Sequence, residues 1–154
     1  MSVRGRLVLL LLALYVARPA SAYYPQWIPA STTTLSAARS VHVVEMNGDS
    51  MPDVVAQSGN HAVVYVLQPD GAFNGITYSY ATSYLADLVV GDLNEDGSQD
   101  LILSDTATNV LTIITGNGDG TFADPVSIPL EVSPSEIESG DFDGDEHLDV
   151  LVRG

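Results

Sequence analysis

Beyond residue 40 the chain alternates short apolar runs with dense clusters of Asp, Asn and Gly. The runs are Val41–Val44, Val54-Val55, Val63–Leu67, Leu88–Val90, Leu101–Leu103, Val110–Ile114 and Val150–Val152. They are rich in β-branched residues and bounded by turn formers, which predicts strands. Ile137–Gly140 occupies a matching place but is more polar. Ile76–Tyr80 and Pro125–Pro129 predict two further, less regular strands. Pro69-Asp70-Gly71 and Asn117-Gly118-Asp119-Gly120 carry turn chemistry, with glycines able to take positive φ. No stretch after residue 22 has a helical period, so the expected class is all-β.

The pattern repeats. EMNGDSMPDVVAQ begins at Glu45, DLNEDGSQDLILS at Asp92 and DFDGDEHLDVLVR at Asp141. A second landmark ends at Phe73 (LQPDGAF) and again at Phe122 (TGNGDGTF), also roughly 50 residues apart. Each unit predicts about four short antiparallel strands, the size and content of a β-propeller blade. Repeat 1 spans residues 41–85, repeat 2 spans 86–135, and 136–154 is the start of a third. Propellers carry about four to eight blades. Repeats bury their core only against neighbours, so about three are needed. The expectation is an incomplete propeller, either a fragment of a longer chain or a module completed by other copies. Within residues 23–40, the segment Tyr23-Tyr24-Pro25-Gln26-Trp27-Ile28 reads equally as a ring-closing strand and as an unstructured mature N-terminus.

The acidic clusters share one spacing. Counted from the first acid, positions 1, 3, 5 and 9 carry oxygen side chains. They are Glu45, Asn47, Asp49 and Asp53 in the first loop, and Asp92, Asn94, Asp96 and Asp100 in the second. The third has Asp141, Asp143, Asp145 and Asp149. Position 7 adds a backbone carbonyl from Met51, Ser98 or His147. Alternate residues of a tight loop can turn oxygens toward one hard cation. Calcium accepts six to eight oxygens in irregular geometry, whereas magnesium demands a tighter octahedron. Zinc or iron would call for His or Cys, and no His occupies positions 1, 3, 5 or 9. An EF-hand would need Glu at position 12 and a following helix. Position 12 here is Ala56, Leu103 or Val152, and strand formers follow. Solvated acidic turns are the plainer account of any one loop, but three copies in register favour metal. The first loop is the weakest, with the longer Glu45 at position 1 and Ser50 where a turn glycine would help. The third has Glu146 at that same position.

Charge agrees with a cation partner. The chain has 20 acidic and five basic residues, with a formal net charge of −15. Such a surface repels phosphate backbones, which argues against nucleic-acid binding. Arg4 and Arg6 precede an apolar run from Leu7 to Ala17, and Ala20-Ser21-Ala22 follows. This reads as a secretory signal peptide over residues 1–22, cleaved after Ala22. The alternative is an uncleaved anchor, although the run is short for a span of about 20 residues. Cleavage leaves Arg39 and Arg153 as the only basic side chains, and no transmembrane span. There is no cysteine, so an exported domain depends on its core, on metal, or on both. The expected location is extracellular or at the cell surface.

The unit closely resembles the FG-GAP/VCBS repeat family. It consists of an apolar strand, then Gly-Asp-Leu-Asn-Glu-Asp-Gly-Ser-Gln-Asp, a second strand, and Gly-Asn-Gly-Asp-Gly-Thr-Phe. The resemblance covers roughly Val41 to Gly154. It implies calcium-loaded propeller blades like those of integrin α subunits, with the ion between the first two strands. By that resemblance the side chains at positions 1, 3, 5 and 9 are the ligands. Glu45, Ser50 and Glu146 depart from the pattern and bear on loop affinity.

Little in the chain suggests catalysis. After residue 22 there is no Cys or Lys, and no G-x-S-x-G elbow occurs. His42, His61 and His147 each stand without a partner in the sequence, which fits structural or solvated roles better than catalytic ones. Tyr78, Tyr80, Tyr84 and Phe73 fit packing between blades better than a ligand-binding patch. The expected function is non-enzymatic. It is a secreted calcium-binding propeller module for extracellular recognition or adhesion, with structural calcium and a protein or glycan ligand. The alternative is the accessory, substrate-binding propeller of a secreted hydrolase or lyase. A truncated product that does not fold alone is a third reading.

Overall fold

Alternating apolar and small polar residues, cut by Asp/Asn/Gly turns, leave this chain little choice but short antiparallel strands. The computed structural model describes residues 38–70, 72–73 and 78–154. The signal-peptide reading, the segment Tyr23–Ile28, Gly71 and the first part of the Ile76–Tyr80 strand lie outside the described residues. Ten strands are described: β1 (Ala38–Val44), β2 (Asp53–Ser58), β3 (His61–Tyr65), β4 (Tyr78–Ala81), β5 (Leu85–Gly91), β6 (Asp100–Asp105), β7 (Val110–Ile114), β8 (Val126–Pro129), β9 (Glu136–Gly140) and β10 (Asp149–Arg153). They form two four-stranded sheets, β1-β2-β3-β4 and β5-β6-β7-β8, and a two-stranded sheet of β9 and β10. All pairings are antiparallel. No helix occurs among the described residues. The sheets do not close into a ring, so the architecture is that of incomplete propeller blades.

Several boundaries differ from the sequence pattern. Val66 and Leu67 lie past the end of β3, and Leu67 instead bridges to Phe73, as Gly116 bridges to Phe122. The two repeated landmarks thus close equivalent small loops. His61 is the first residue of β3.

The strand period sends alternate side chains to opposite faces. Val55, Ala62, Val64 and Val66 of the first blade meet Leu85, Leu88, Leu101, Leu103 and Ile114 of the second. Ile102 and Leu111, on the second blade's other face, meet Ile137, Val150 and Val152 of the third. Each Val or Leu buried there contributes about 1.5–3 kcal/mol. Polar ties cross the same seams. His42 Nε2 lies 3.1 Å from the Leu88 carbonyl, and Gln57 Nε2 donates to the Leu85 carbonyl at 2.7 Å. Between the second and third blades, the Ile137 amide donates to Asp87 Oδ2 at 3.0 Å.

The aromatic group divides. Tyr80 packs beside the first seam and Phe73 on the far face of the first blade. Tyr84 is largely exposed under the Arg39 guanidinium, 5.8 Å from its ring centroid.

Backbone conformation in the acidic loops follows a rule that the residue types conceal. Position 4 has positive φ in every loop, at Gly48 (79°), Glu95 (60°) and Gly144 (84°). Position 6 does too, at Ser50 (64°), Gly97 (86°) and Glu146 (70°). Each loop thus supplies one glycine and strains one other residue. A non-glycine residue in this region costs about 1–2 kcal/mol. Ser50→Gly and Glu146→Gly, measured by denaturant unfolding in chelator, should each therefore stabilise the chain by about 1 kcal/mol. No gain at either position would contradict the strain assignment.

Candidate metal centre

Three loops join paired strands: β1 to β2, β5 to β6 and β9 to β10. Each is held by a similar set of hydrogen bonds, which differ in detail at position 1. At position 1, Glu45 Oε1 accepts the amides of Asn47 (2.8 Å), Gly48 (2.5 Å) and Asp49 (3.3 Å). Asp92 accepts those of Asp96 (3.1 Å) and Gly97 (2.9 Å). Asp141 accepts those of Gly144 (2.7 Å), Asp145 (3.2 Å) and Glu146 (3.0 Å). At position 3, the Oδ1 atoms of Asn47, Asn94 and Asp143 accept the position-5 amide at 3.3, 3.1 and 3.1 Å. At position 5, Asp49, Asp96 and Asp145 accept the amides of Met51, Ser98 and His147 at 2.7, 2.8 and 2.9 Å. These bonds fix the peptide planes around position 7.

Position 9 behaves differently, because it is already in the strand. Asp53 and Asp100 are fully buried. Asp53 Oδ2 accepts the Met46 amide and Oδ1 the Leu67 amide, both at 2.8 Å. Asp100 likewise accepts Leu93 (3.0 Å) and Gly116 (2.9 Å). One carboxylate therefore ties the loop's second residue to the end of the blade's third strand. Gly116 is required by this closeness, since a Cβ there would lie 2.2 Å from the Gln99 carbonyl oxygen. Asp149 keeps the first tie, to the Phe142 amide at 3.0 Å. It has no counterpart of Leu67 or Gly116 among the described residues.

The acids differ in character. The Ser98 amide, with Asn94 helping, holds Asp96 below the ordinary value of 3.8. The Gly144 amide is the main cause of the same lowering at Asp141. Burial pushes Asp53 above 3.8, against the pull of the Leu67 and Met46 amides and with the repulsion of Asp49 and Glu45.

Donor chemistry tests whether a cation suits these loops. Oxygens that share one calcium at about 2.3–2.6 Å lie within about 5 Å of one another. In the third loop, carboxylate oxygens of Asp141, Asp143 and Asp149 all lie within 4.8 Å of one another. That set fits. It is the one such group among the described residues, and Asp145 stands outside it, turned to His147. In the first two loops position 3 is an asparagine, Asn47 or Asn94, so the equivalent trio there has two carboxylates and one amide.

Two features escaped the sequence reading. Glu95 of the second loop contacts the His147 ring of the third, and this hydrogen bond raises the imidazole's pKa. Both side chains are exposed, so the pair adds little stability. The other is Asp105, a buried acid outside the loops. Its carboxylate accepts the amides of Ser83 (2.7 Å), Tyr84 (3.3 Å), Ala107 (2.9 Å) and Thr108 (3.2 Å). It thereby joins the segment between blades to the β6–β7 turn. A lone Asp at a strand end gave no signal of this.

Two outcomes follow from the carboxylates. Asparagine at position 9 offers one acceptor oxygen for two buried amides, and an unsatisfied buried donor costs about 1–3 kcal/mol. Asp100→Asn should lose about that much in denaturant unfolding in chelator; unchanged stability would contradict the double tie. In the metal-free chain, NMR titration should place Asp96 and Asp141 below 3.8 and Asp53 above it. The stabilisation from Asp96 and Asp141 is complete above 3.8 and lost as pH falls through their folded values. The Asp53 contribution has the opposite sign, being present below 3.8 and lost as pH rises through its folded value. The reverse order of titration would contradict the geometry.

Comparison with known proteins places these loops in a familiar repeat. The FG-GAP-like repeat matches residues 45–103 and again residues 92–152. No curated protein matches the chain. Each match begins at the first acid of one loop and runs through the next, so it spans the loop, the blade and the landmark that closes it. Two registers of one repeat account for most of the chain, which belongs to the FG-GAP-like repeat family and forms a β-propeller-like repeat domain.

Proposed function

We propose that the chain is a calcium-binding propeller module, exported from the cell, that serves extracellular recognition or adhesion through a protein or glycan ligand. The observation that carries the calcium reading is the third loop, with three carboxylates within 4.8 Å on a backbone shared by the other two loops. Bound calcium would neutralise acids that otherwise repel one another and would hold the turn between the first two strands of a blade. The chain's own part is to present the oxygens. Position 1 is anchored by amides, position 3 accepts the position-5 amide, position 5 accepts the position-7 amide, and position 9 is fixed in the strand. Such a site adds its binding energy to folding, because the unfolded chain has no preformed cage. The strong acidity of the chain supports a cation partner, and the reading of residues 1–22 as a signal peptide supports export.

Millimolar calcium should raise the melting temperature of the chain over that in EGTA, and magnesium should raise it less. Asp141→Ala combined with Asp143→Ala should remove the contribution of the third loop. A melting temperature indifferent to calcium would end the calcium reading. Export is checked separately: the secreted chain should begin at Tyr23, and a chain retained with Met1 at its N-terminus would oppose cleavage.

A further inference from the structure

We infer that Asn47 is a self-deamidating residue, converted in place to aspartate by attack of its own backbone. The inference rests on Asn47-Gly48 at positions 3 and 4 of the first loop. Gly48 carries no side chain to shield its nitrogen, is exposed, and has φ +79°. Its amide hydrogen is donated to Glu45 Oε1 at 2.5 Å, so a carboxylate stands where the proton must leave. The Asn47 side-chain amide donates to Asp49 Oδ2 at 3.1 Å, which holds the leaving nitrogen against a second carboxylate.

The chemistry needs only water. The Gly48 nitrogen attacks Asn47 Cγ and a new N–Cγ bond closes a five-membered succinimide. The Gly48 proton passes to Glu45 and then to the departing group. The Cγ–Nδ2 bond breaks, and ammonia leaves. Water then adds at Cγ, the N–Cγ bond reopens, and the Gly48 nitrogen recovers a proton. The net change is asparagine plus water to aspartate plus ammonia. Opening at the main-chain carbonyl instead yields isoaspartate.

The chain itself shows that the aspartate product suits this loop. The third loop has Asp143-Gly144 at the same two positions. There Asp143 Oδ1 accepts the position-5 amide at 3.1 Å and Gly144 donates to Asp141 at 2.7 Å, as their counterparts do in the first loop. The second loop has Asn94-Glu95, whose side chain at position 4 obstructs ring closure. Asn117-Gly118 supplies an internal control. Its side-chain amide is bonded to Thr121 Oγ1 at 2.8 Å, and no carboxylate bond to the Gly118 amide is seen among the described residues. Conversion of Asn47 would give the first loop the carboxylate at position 3 that it lacks. That consequence for cation binding rests on the calcium reading; the conversion does not.

The full chain, aged in warm neutral buffer with EGTA, is digested and mapped by mass spectrometry, with aspartate and isoaspartate separated. Asn47 should convert well ahead of Asn117, and Asn94 should stay intact. Glu45→Gln keeps an acceptor for the Gly48 amide but does not take its proton. It should slow conversion at Asn47 by about 10²-fold, the lower end of general-base contributions, and leave Asn117 unchanged. Conversion at Asn47 no faster than at Asn117, or unaffected by Glu45→Gln, would overturn the inference. Because EGTA is present throughout, the result stands apart from whether the loop binds calcium.

Discussion

A carboxylate that has entered a strand holds each blade's loop in place. Asp53 and Asp100 are buried acids, and burial of a charge is costly unless it is hydrogen-bonded. Each meets that need with two amides, one from the loop's second residue and one from the end of the third strand. The hydrogen-bonded oxygens at positions 1, 3 and 5 then hang on a frame whose end is fixed. Without that tie, the strained positive-φ positions would have no reason to persist, since strained backbone survives only where its surroundings over-determine it.

The same frame fastens one blade to the next. The Met46 amide is bound by Asp53, and the Met46 carbonyl accepts the Gly120 amide at 3.0 Å from the second blade's turn. A loop is therefore both a candidate cation cage and part of the seam. Equivalent positions in the third blade show what a seam hides. Val55 and Ile102 are wholly buried, but their counterpart Leu151 is 58% exposed. Met46 is 4% exposed and its counterpart Phe142 is 54% exposed. The side chains exposed on the third blade thus have counterparts in the first two that the following blade covers.

Much of this was legible in the residues. The repeat period, the all-β class and the loop spacing depend on local chemistry: β-branched runs, turn residues, and acids every second position. Contacts between repeats were not legible. The approach of Glu95 to His147 depends on how two blades are offset, which no local pattern encodes. Asp105 looked like any polar strand end, and its four amides come from segments separated in the chain. Position 4 was hidden because Gly48 and Gly144 fill it silently and only Glu95 reveals the strain. The second partner of Asp53 and Asp100 was likewise out of view, since Leu67 and Gly116 differ in type yet offer the same amide.

Native-state hydrogen exchange at the Leu93 and Gly116 amides tests the central claim most directly. Both donate to Asp100 and neither belongs to a named strand. The double tie predicts that they exchange as slowly as the buried amides of β6 and that Asp100→Asn exposes at least one of them selectively. Fast exchange of both in the native chain, at the rate of an open loop, would contradict it.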